Sequence, residues 1–107
     1  MIDIIYNFDK LDVKIKGHGG DKYGEDIYCA GVSALTMALA CALTDAARQG
    51  LIRTKGLTIK MEDGDSHLRA KPTLEGEPIV RTIFTTIFNG YDALSVSFPE
   101  KISFKPL

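Results

Sequence analysis

Cysteine and histidine are scarce in this sequence, with two of each among 107 residues. Neither a Cys-x-x-Cys nor a His-Glu-x-x-His motif occurs, so redox-dithiol and zinc-protease chemistry lack their minimum ligands. The glycine-rich stretch at residues 17–24 does not end in Gly-Lys-Ser or Gly-Lys-Thr, which argues against a phosphate-binding loop of that type. We therefore expect an activity that needs neither a cofactor nor a metal ion.

An excess of either charge is also absent. Thirteen basic and fourteen acidic residues give a net charge of −1. A protein that stays bound to nucleic acid normally shows a basic excess or a basic stripe, so we expect no nucleic-acid partner. No repeat, linker or low-complexity segment divides the chain, and its length predicts a single domain, residues 1–107.

Long hydrophobic runs and a targeting segment are missing as well. The N-terminus, Met1–Tyr6, has no basic segment and is typical of a strand. The longest apolar stretch, Ala34–Leu43, is too short for a bilayer, which needs roughly 20 apolar residues. Cys29 and Cys41 lie 12 positions apart on one predicted helix, which separates them by about 18 Å, whereas a disulfide allows about 7 Å. These features favour a protein of the reducing cytoplasm with no membrane partner.

Hydrophobic periodicity predicts seven elements in the order ββαββαβ. The tail after Pro99 contains Ile102 and Phe104, which could still pair with the sheet. Asp63-Gly64 is the turn of a hairpin between the third and fourth strands. The predicted strands are Ile2–Phe8, Asp12–Gly17, Leu57–Glu62, Ser66–Lys71 and Ser95–Phe98.

Two helices are predicted between these strands. The first begins with Asp26 as its N-cap and ends at Gly50 in the C′ position, and the second begins near Pro78. Each helix has one strong apolar face. This favours an α/β (α+β) fold, a two-layer sandwich with both helices on one face of a mostly antiparallel sheet of about five strands.

The first helix carries apolar or small residues on two opposite sides. We expect the sheet to cover one side, and a helix or a second subunit to cover the other, so a homodimer is predicted. The broad apolar stripe consists of Tyr28, Val32, Leu35, Leu39, Leu43 and Ala46, and the small side of Ala30, Ala34, Ala38 and Cys41.

Cys29 is the strongest candidate for chemistry. It comes three residues after the predicted N-cap, where free backbone N–H groups and the positive end of the helix dipole favour a thiolate. His18, at the base of the glycine-rich loop that leads into this helix, can supply the base that a cysteine nucleophile needs. The alternative for Cys29 is a small buried hydrophobic residue, and these residues by themselves leave both possibilities open.

The other cysteine and the other histidine have simpler explanations. Cys41 lies in the middle of the helix among alanines, where packing accounts for it. His67 alternates outward on a hairpin strand and is expected on the solvated surface.

Two signatures carry a family resemblance. Gly-His-Gly at residues 17–19 and Asp-Ile-Tyr-Cys-Ala-Gly-Val-Ser at residues 26–33 resemble the Gly-His-Ala and Asp-x-Val-Cys-Ala-x-Val-Ser motifs of the bacterial ribosomal-processing cysteine proteases. The length and the order of elements agree as well, so the resemblance covers all 107 residues. It implies that Cys29 is the nucleophile and His18 the base, with Asp26, Ser33 and Gly17 in support.

The resemblance also implies a substrate. Members of this family are small homodimers that remove an N-terminal extension from the large-subunit ribosomal protein numbered twenty-seven. Relatives also occur in phages, so a virion protein is an alternative substrate. The alternative from another functional class is a non-catalytic module of the same fold that docks on a ribosomal or phage protein.

The loop between the two signatures is expected to bind substrate. Its residues Gly19, Gly20, Tyr23 and Gly24 include glycines that let the backbone approach a peptide closely and close over it as a lid. Amides of this loop and of the helix start could hold an oxyanion. Gly19 and Tyr28 depart from the family motifs, which puts the fine specificity in question.

Two of the supporting residues have structural alternatives. Asp26 could be a helix cap and nothing more. Ser33 could orient the sulfur or simply bond to the helix backbone.

Overall fold

The computed structural model describes residues 1–17 and 27–107. Its elements follow the predicted order ββαββαβ. They are β1 (Ile2–Asn7), β2 (Asp12–Gly17), α1 (Ile27–Arg48), β3 (Ile52–Glu62), β4 (Asp65–Pro72), α2 (Glu77–Ser97) and β5 (Ile102–Pro106).

The five strands form one sheet in the order β3-β4-β2-β1-β5. All neighbouring pairs are antiparallel except β1 and β5, which run parallel. The predicted α+β fold with a mostly antiparallel sheet is therefore confirmed. The parallel pair forms because β5 returns to the sheet after α2 and places Ile102 opposite Ile2.

The hydrophobic core lies between the sheet and the two helices. Alternate residues of the strands point toward the helices and are almost completely buried, while their neighbours face solvent. Each fully buried aliphatic or aromatic side chain contributes about 1.5–3 kcal/mol. The core includes Ile2, Ile4, Val13, Ile15, Leu68, Ala70 and Ile102 from the strands, and Leu39, Leu43, Val80, Phe84 and Tyr91 from the helices.

The end of the chain differs from the sequence prediction. Ser95–Phe98 is not a strand, because α2 continues to Ser97 and closes with the Phe98 amide donating to the Leu94 carbonyl at 2.8 Å. Leu94 lies directly over Gly31 of α1. This helix–helix packing outweighs the β-propensity of the short segment, and Ile102–Pro106 becomes the last strand.

β3 also begins earlier than predicted. It starts at Ile52 rather than Leu57, with a register shift between these two residues. Lys55 lies in this irregular stretch with a φ of 60°. A bulge breaks the two-residue alternation that sequence reasoning depends on, so the first half of the strand carries no clear pattern.

The ends of α1 agree with the predicted signals as far as they are described. Gly50 has a φ of 77°, and its amide donates to the Ala47 carbonyl at 3.1 Å. This is the left-handed C′ position that glycine adopts without strain. α1 begins at Ile27, directly after Asp26 in the sequence, and Asp26 itself lies outside the described residues.

By length and composition alone, α1 could cross a membrane, because it has 22 residues and an 18-residue window with a mean hydropathy of 1.8. Core helices of soluble proteins meet the same criterion. α1 uses Leu39 and Leu43 to build the core beneath it, whereas its other side is exposed at Ala34, Ala38 and Cys41.

One polar pair is buried between the helices. The Thr36 hydroxyl donates to the Val32 carbonyl at 2.7 Å, and it lies 2.7 Å from the Tyr91 hydroxyl. Because the single Thr36 proton is used by Val32, Tyr91 is the donor to Thr36. Burial raises the pKa of Tyr91 to about 12.

This arrangement predicts unequal effects of removing the two hydroxyls. Thr36→Val leaves the Tyr91 hydroxyl buried without an acceptor and should lower the free energy of unfolding by about 1–3 kcal/mol. Tyr91→Phe leaves Thr36 bonded to Val32 and should cost at most about 1 kcal/mol. Urea unfolding of both variants measures the difference, and an equal or reversed order would contradict this assignment of donors.

Candidate active site

Cys29 is the third residue of α1 and lies in its first turn. Backbone N–H groups in the first turn have no partner within the helix, and the helix dipole is positive there. The thiol is free and half-buried. A cysteine at a helix start can become a nucleophile, and Cys29 also packs against the hydrophobic core.

A cavity of about 250 Å³ opens beside Cys29. Apolar side chains from both layers of the fold line it, including Ile2, Ile15 and Val32, with Met37 and Met61 nearer to solvent. Residues 62–66 of the β3–β4 hairpin form the polar side of the opening. The inner part of the cavity is therefore suited to an apolar group.

Gly17 lies at the same cavity, at the end of β2. Its φ is 97°, and its amide donates to the Gly64 carbonyl at 3.0 Å. A side chain here would overlap the carbonyl oxygen of Met1, so the position requires glycine both for its φ and for space. Gly17 thus fixes the backbone at the end of β2, and its supporting role in catalysis stays a prediction.

Asp65 fixes the hairpin at the rim of the cavity. Its carboxylate accepts hydrogen bonds from Lys16 of β2 at 2.7 Å and from Lys60 of β3 at 2.9 Å. Hydrogen bonds from Lys16 and Lys60 lower the pKa of Asp65 to about 2. Three strands are thereby joined next to the cavity.

Ser33 and Tyr28 take different places around the nucleophile. Ser33, one turn after Cys29, lines the cavity and is exposed. Tyr28 instead turns toward α2, where its ring meets Phe98 edge-on at 5.0 Å. The Lys101 Nζ lies over this ring, 5.9 Å from its centroid. The departure at Tyr28 therefore affects packing between α1 and the end of α2, and the ring does not line the cavity.

Several predicted site residues lie outside the described part of the chain. They are His18, Gly19, Gly20, Tyr23, Gly24 and Asp26. The pairing of His18 with Cys29, the substrate-binding loop and the N-cap thus remain predictions.

The remaining cysteine and histidine differ from their predicted surroundings. Cys41 is exposed on the outer side of α1, so packing within one chain does not account for it. His67 does point away from the core, as predicted, but it is half-buried and its Nε2 lies 3.0 Å from the Asp12 carboxylate. The alternation along β4 predicts the face of His67, whereas Asp12 becomes its neighbour only through the β2–β4 register.

The hairpin is the part of the site that sequence reasoning did not find. Asp63-Gly64 was predicted as a turn, and the turn is present, with a φ of 73° at Gly64. Its position beside Cys29 depends on β4 pairing with β2, which no local pattern indicates. Within residues 1–17 and 27–107, no group of three or more His, Cys, Asp or Glu side chains could hold a metal ion.

Comparison with known proteins supports a protease site. The family described as cysteine protease Prp matches residues 1–103. The chain is 26% identical to an essential ribosomal processing protease Prp from S. aureus, solved with a covalently linked product peptide. The match covers 99% of this chain and 97% of that one, with a TM-score of 0.73.

Two further structures resemble this chain. SMU.848 from Streptococcus mutans is 26% identical, with a TM-score of 0.70 and coverage of 99% of this chain and 95% of that one. The S. aureus protease with a substrate peptide, at 24% identity, a TM-score of 0.68 and coverage of 99% and 97%, shares the fold. No curated protein matches the sequence.

Proposed function

We propose that this chain, which belongs to the Prp family of cysteine proteases, hydrolyses a peptide bond with Cys29 as nucleophile and His18 as its base. The observation that carries the proposal is that Cys29 and Gly17 line one cavity. Gly17 directly precedes His18 in the chain. His18 is therefore bonded directly to a residue that lines the cavity beside the Cys29 thiol.

The reaction follows from these roles. His18 takes the Cys29 proton, and the thiolate attacks the carbonyl carbon of the scissile bond. The protonated His18 gives its proton to the leaving amine as the C–N bond breaks, which leaves a thioester on Cys29. Water then attacks the thioester while His18 accepts its proton, and the thiol is regenerated with release of a carboxylate product.

The helix start supplies stabilisation for the oxyanion. Backbone N–H groups of the first turn of α1 lie next to Cys29 and have no partner within the helix. They are fixed before substrate arrives, which is the condition under which such donors lower the barrier most. Ser33, one turn further along the cavity, can orient the sulfur from the same side.

The substrate class follows from the relatives. We propose that the chain removes an N-terminal extension from a ribosomal protein, because the S. aureus relative is a ribosomal processing protease that holds a product peptide covalently. The apolar cavity beside Cys29 accommodates a hydrophobic residue next to the cleaved bond. The reaction would take place in the cytoplasm, where a free thiol stays reduced.

Two measurements test this function. A synthetic peptide spanning the extension and the first residues of the mature ribosomal protein should be cut at one bond, as seen by mass spectrometry. A peptide-like electrophile should add to Cys29 and not to Cys41. Modification of the more exposed Cys41 alone, or an uncut peptide, would contradict the proposal, and cleavage of a virion-protein peptide instead would change its substrate.

We further propose that the protein acts as a homodimer through the outer side of α1. Met37 is 58% exposed there, and Met61 and Ile59 of β3 are 42% and 37% exposed on the helix side of the sheet. α1 also exposes Ala34, Ala38 and Cys41, and exposed apolar residues in such number are typical of an interface. Because Met37 and Met61 also line the cavity, a second copy would lie against the active site.

The dimer can be tested by one charged substitution. Ala38→Arg places a cation on this surface without touching the cavity, and it should shift the mass in multi-angle light scattering from dimer to monomer. Thr82→Arg, on the exposed side of α2, is the matched control and should leave the dimer intact. A wild-type protein that is monomeric at high micromolar concentration would contradict the proposal.

A further inference from the structure

A basic pocket of about 240 Å³ lies at the end of the sheet remote from Cys29. It forms where the β1–β2 turn, the end of β4 and α2 meet. β2 runs from this end to the active site, and its six residues span about 20 Å. Among the described residues that line the pocket, Asp9 is the single acid, and the cations are Lys10, Arg53, Arg69, Lys71 and Arg81.

The pocket is strongly positive although the whole chain is not. It gathers five of the thirteen cations of the chain and one of its fourteen acids. Two further carboxylates are nearby, since Glu77 accepts from Arg81 and Asp12 lies 3.8 Å from Arg69. The cations still exceed these three acids by two. A net charge of −1 therefore conceals a local excess of positive charge.

Arg81 is held in one orientation. Its Nε donates to Glu77, its Nη1 donates to the Phe8 carbonyl at 2.8 Å, and its guanidinium stacks over the Phe8 ring at 4.7 Å. A guanidinium has five N–H donors. The remaining donors of Arg81 are thus presented in a fixed geometry, with little side-chain entropy left to lose on binding.

The other cations of the pocket have unused binding capacity. The Arg69 Nε is buried and lies 3.8 Å from the Asp12 carboxylate, beyond hydrogen-bond distance. An anion would therefore meet the terminal nitrogens of the Arg69 side chain, which is 35% exposed. In the part of the chain that the structure describes, no carboxylate forms a salt bridge with Lys10, Arg53 or Lys71. Among the described residues, three cations of the pocket thus lack a carboxylate partner, beside the paired Arg69 and Arg81.

We propose that this pocket binds a phosphate group. Three arginines and two lysines line one opening, and this composition suits an anion with several oxygens, because arginine pairs bidentately with phosphate. The group could be free, as in pyrophosphate, or part of an RNA backbone, and the chemistry of the pocket is the same for both. The site is separate from the protease site and does not depend on the proposed function.

The test compares two variants of equal charge. Arg53→Gln/Lys71→Gln removes two pocket cations, and Lys101→Gln/Lys105→Gln removes two cations outside it. Pyrophosphate binding is measured by calorimetry, and binding of a fluorescent single-stranded RNA by anisotropy over a range of salt concentrations. An acidic peptide of the same charge as the RNA is included for comparison.

The pocket variant should lose pyrophosphate binding. Its slope of log RNA-binding constant against log salt concentration should be shallower by about 1.4, which corresponds to the loss of two phosphate contacts in single-stranded RNA. The control variant should bind as the wild type does. If RNA binds more tightly than pyrophosphate, the phosphate group that the pocket recognises belongs to an RNA backbone. If pyrophosphate binds more tightly, the ligand is a free anion. Equal losses in both variants, or equal binding of the acidic peptide, would overturn the proposal. Peptide cleavage should be unchanged in the pocket variant.

Discussion

Cys29→Ala should lower peptide cleavage by roughly 10⁴-fold or more while the fold remains intact. The thiol is the group that forms the covalent bond in the proposed reaction, so no other residue of the cavity replaces it. The change removes one sulfur at a half-buried position in the first turn of α1. We expect the free energy of unfolding to change by at most about 1 kcal/mol.

Cys41→Ala is the matched control for this experiment. It removes the same atom from the same helix at an exposed position away from the cavity, and it should cleave as the wild type does. Circular dichroism and urea unfolding of both variants separate a catalytic defect from a folding defect. Wild-type cleavage by folded Cys29→Ala would rule out the nucleophile assigned here.

The fold could be predicted from local patterns wherever the patterns were regular. The alternation of Val13 and Ile15 gave β2 its observed bounds, and the glycine at position 50 marked the end of α1. The prediction was wrong where tertiary contacts determine the secondary structure. Leu94 packing on Gly31 keeps residues 95–97 helical, and the bulge in β3 removes the alternation before Leu57.

The place of Cys29 in the first turn of α1 could be predicted from the sequence, whereas the walls of the cavity beside it could not. The position of Cys29 after the predicted N-cap indicates it as a candidate nucleophile, and the sequence motif indicates His18 as its base. The hairpin around Gly64 reaches the cavity only because β4 pairs with β2. The basic pocket could not be predicted for a similar reason. Lys10, Arg53 and Lys71 are far apart in sequence, and a net charge of −1 does not show where the cations cluster.

Gly17→Ala should impair both stability and cleavage. A φ of 97° is unfavourable for alanine, and the new methyl group would overlap the Met1 carbonyl oxygen. This carbonyl cannot easily move, because its peptide plane contains the Ile2 amide, which donates to the Lys101 carbonyl at 2.8 Å. We expect the free energy of unfolding to fall by about 3 kcal/mol or more, as strain and overlap add.

Gly50→Ala separates the two causes of this effect. Gly50 also has a positive φ, 77°, but no atom lies within 4 Å of the position a side chain would take. Gly50→Ala should therefore lower the free energy of unfolding only by the cost of the backbone conformation, about 1–2 kcal/mol, and keep full activity. In Gly17→Ala the backbone must shift directly before His18, and a displacement of about 1 Å at a catalytic group can lower the rate by about 10²-fold. Cleavage rates measured well below the melting temperature of each variant test this argument. If Gly17→Ala were destabilised but cleaved at the wild-type rate, Gly17 would serve the sheet alone and would not position the base.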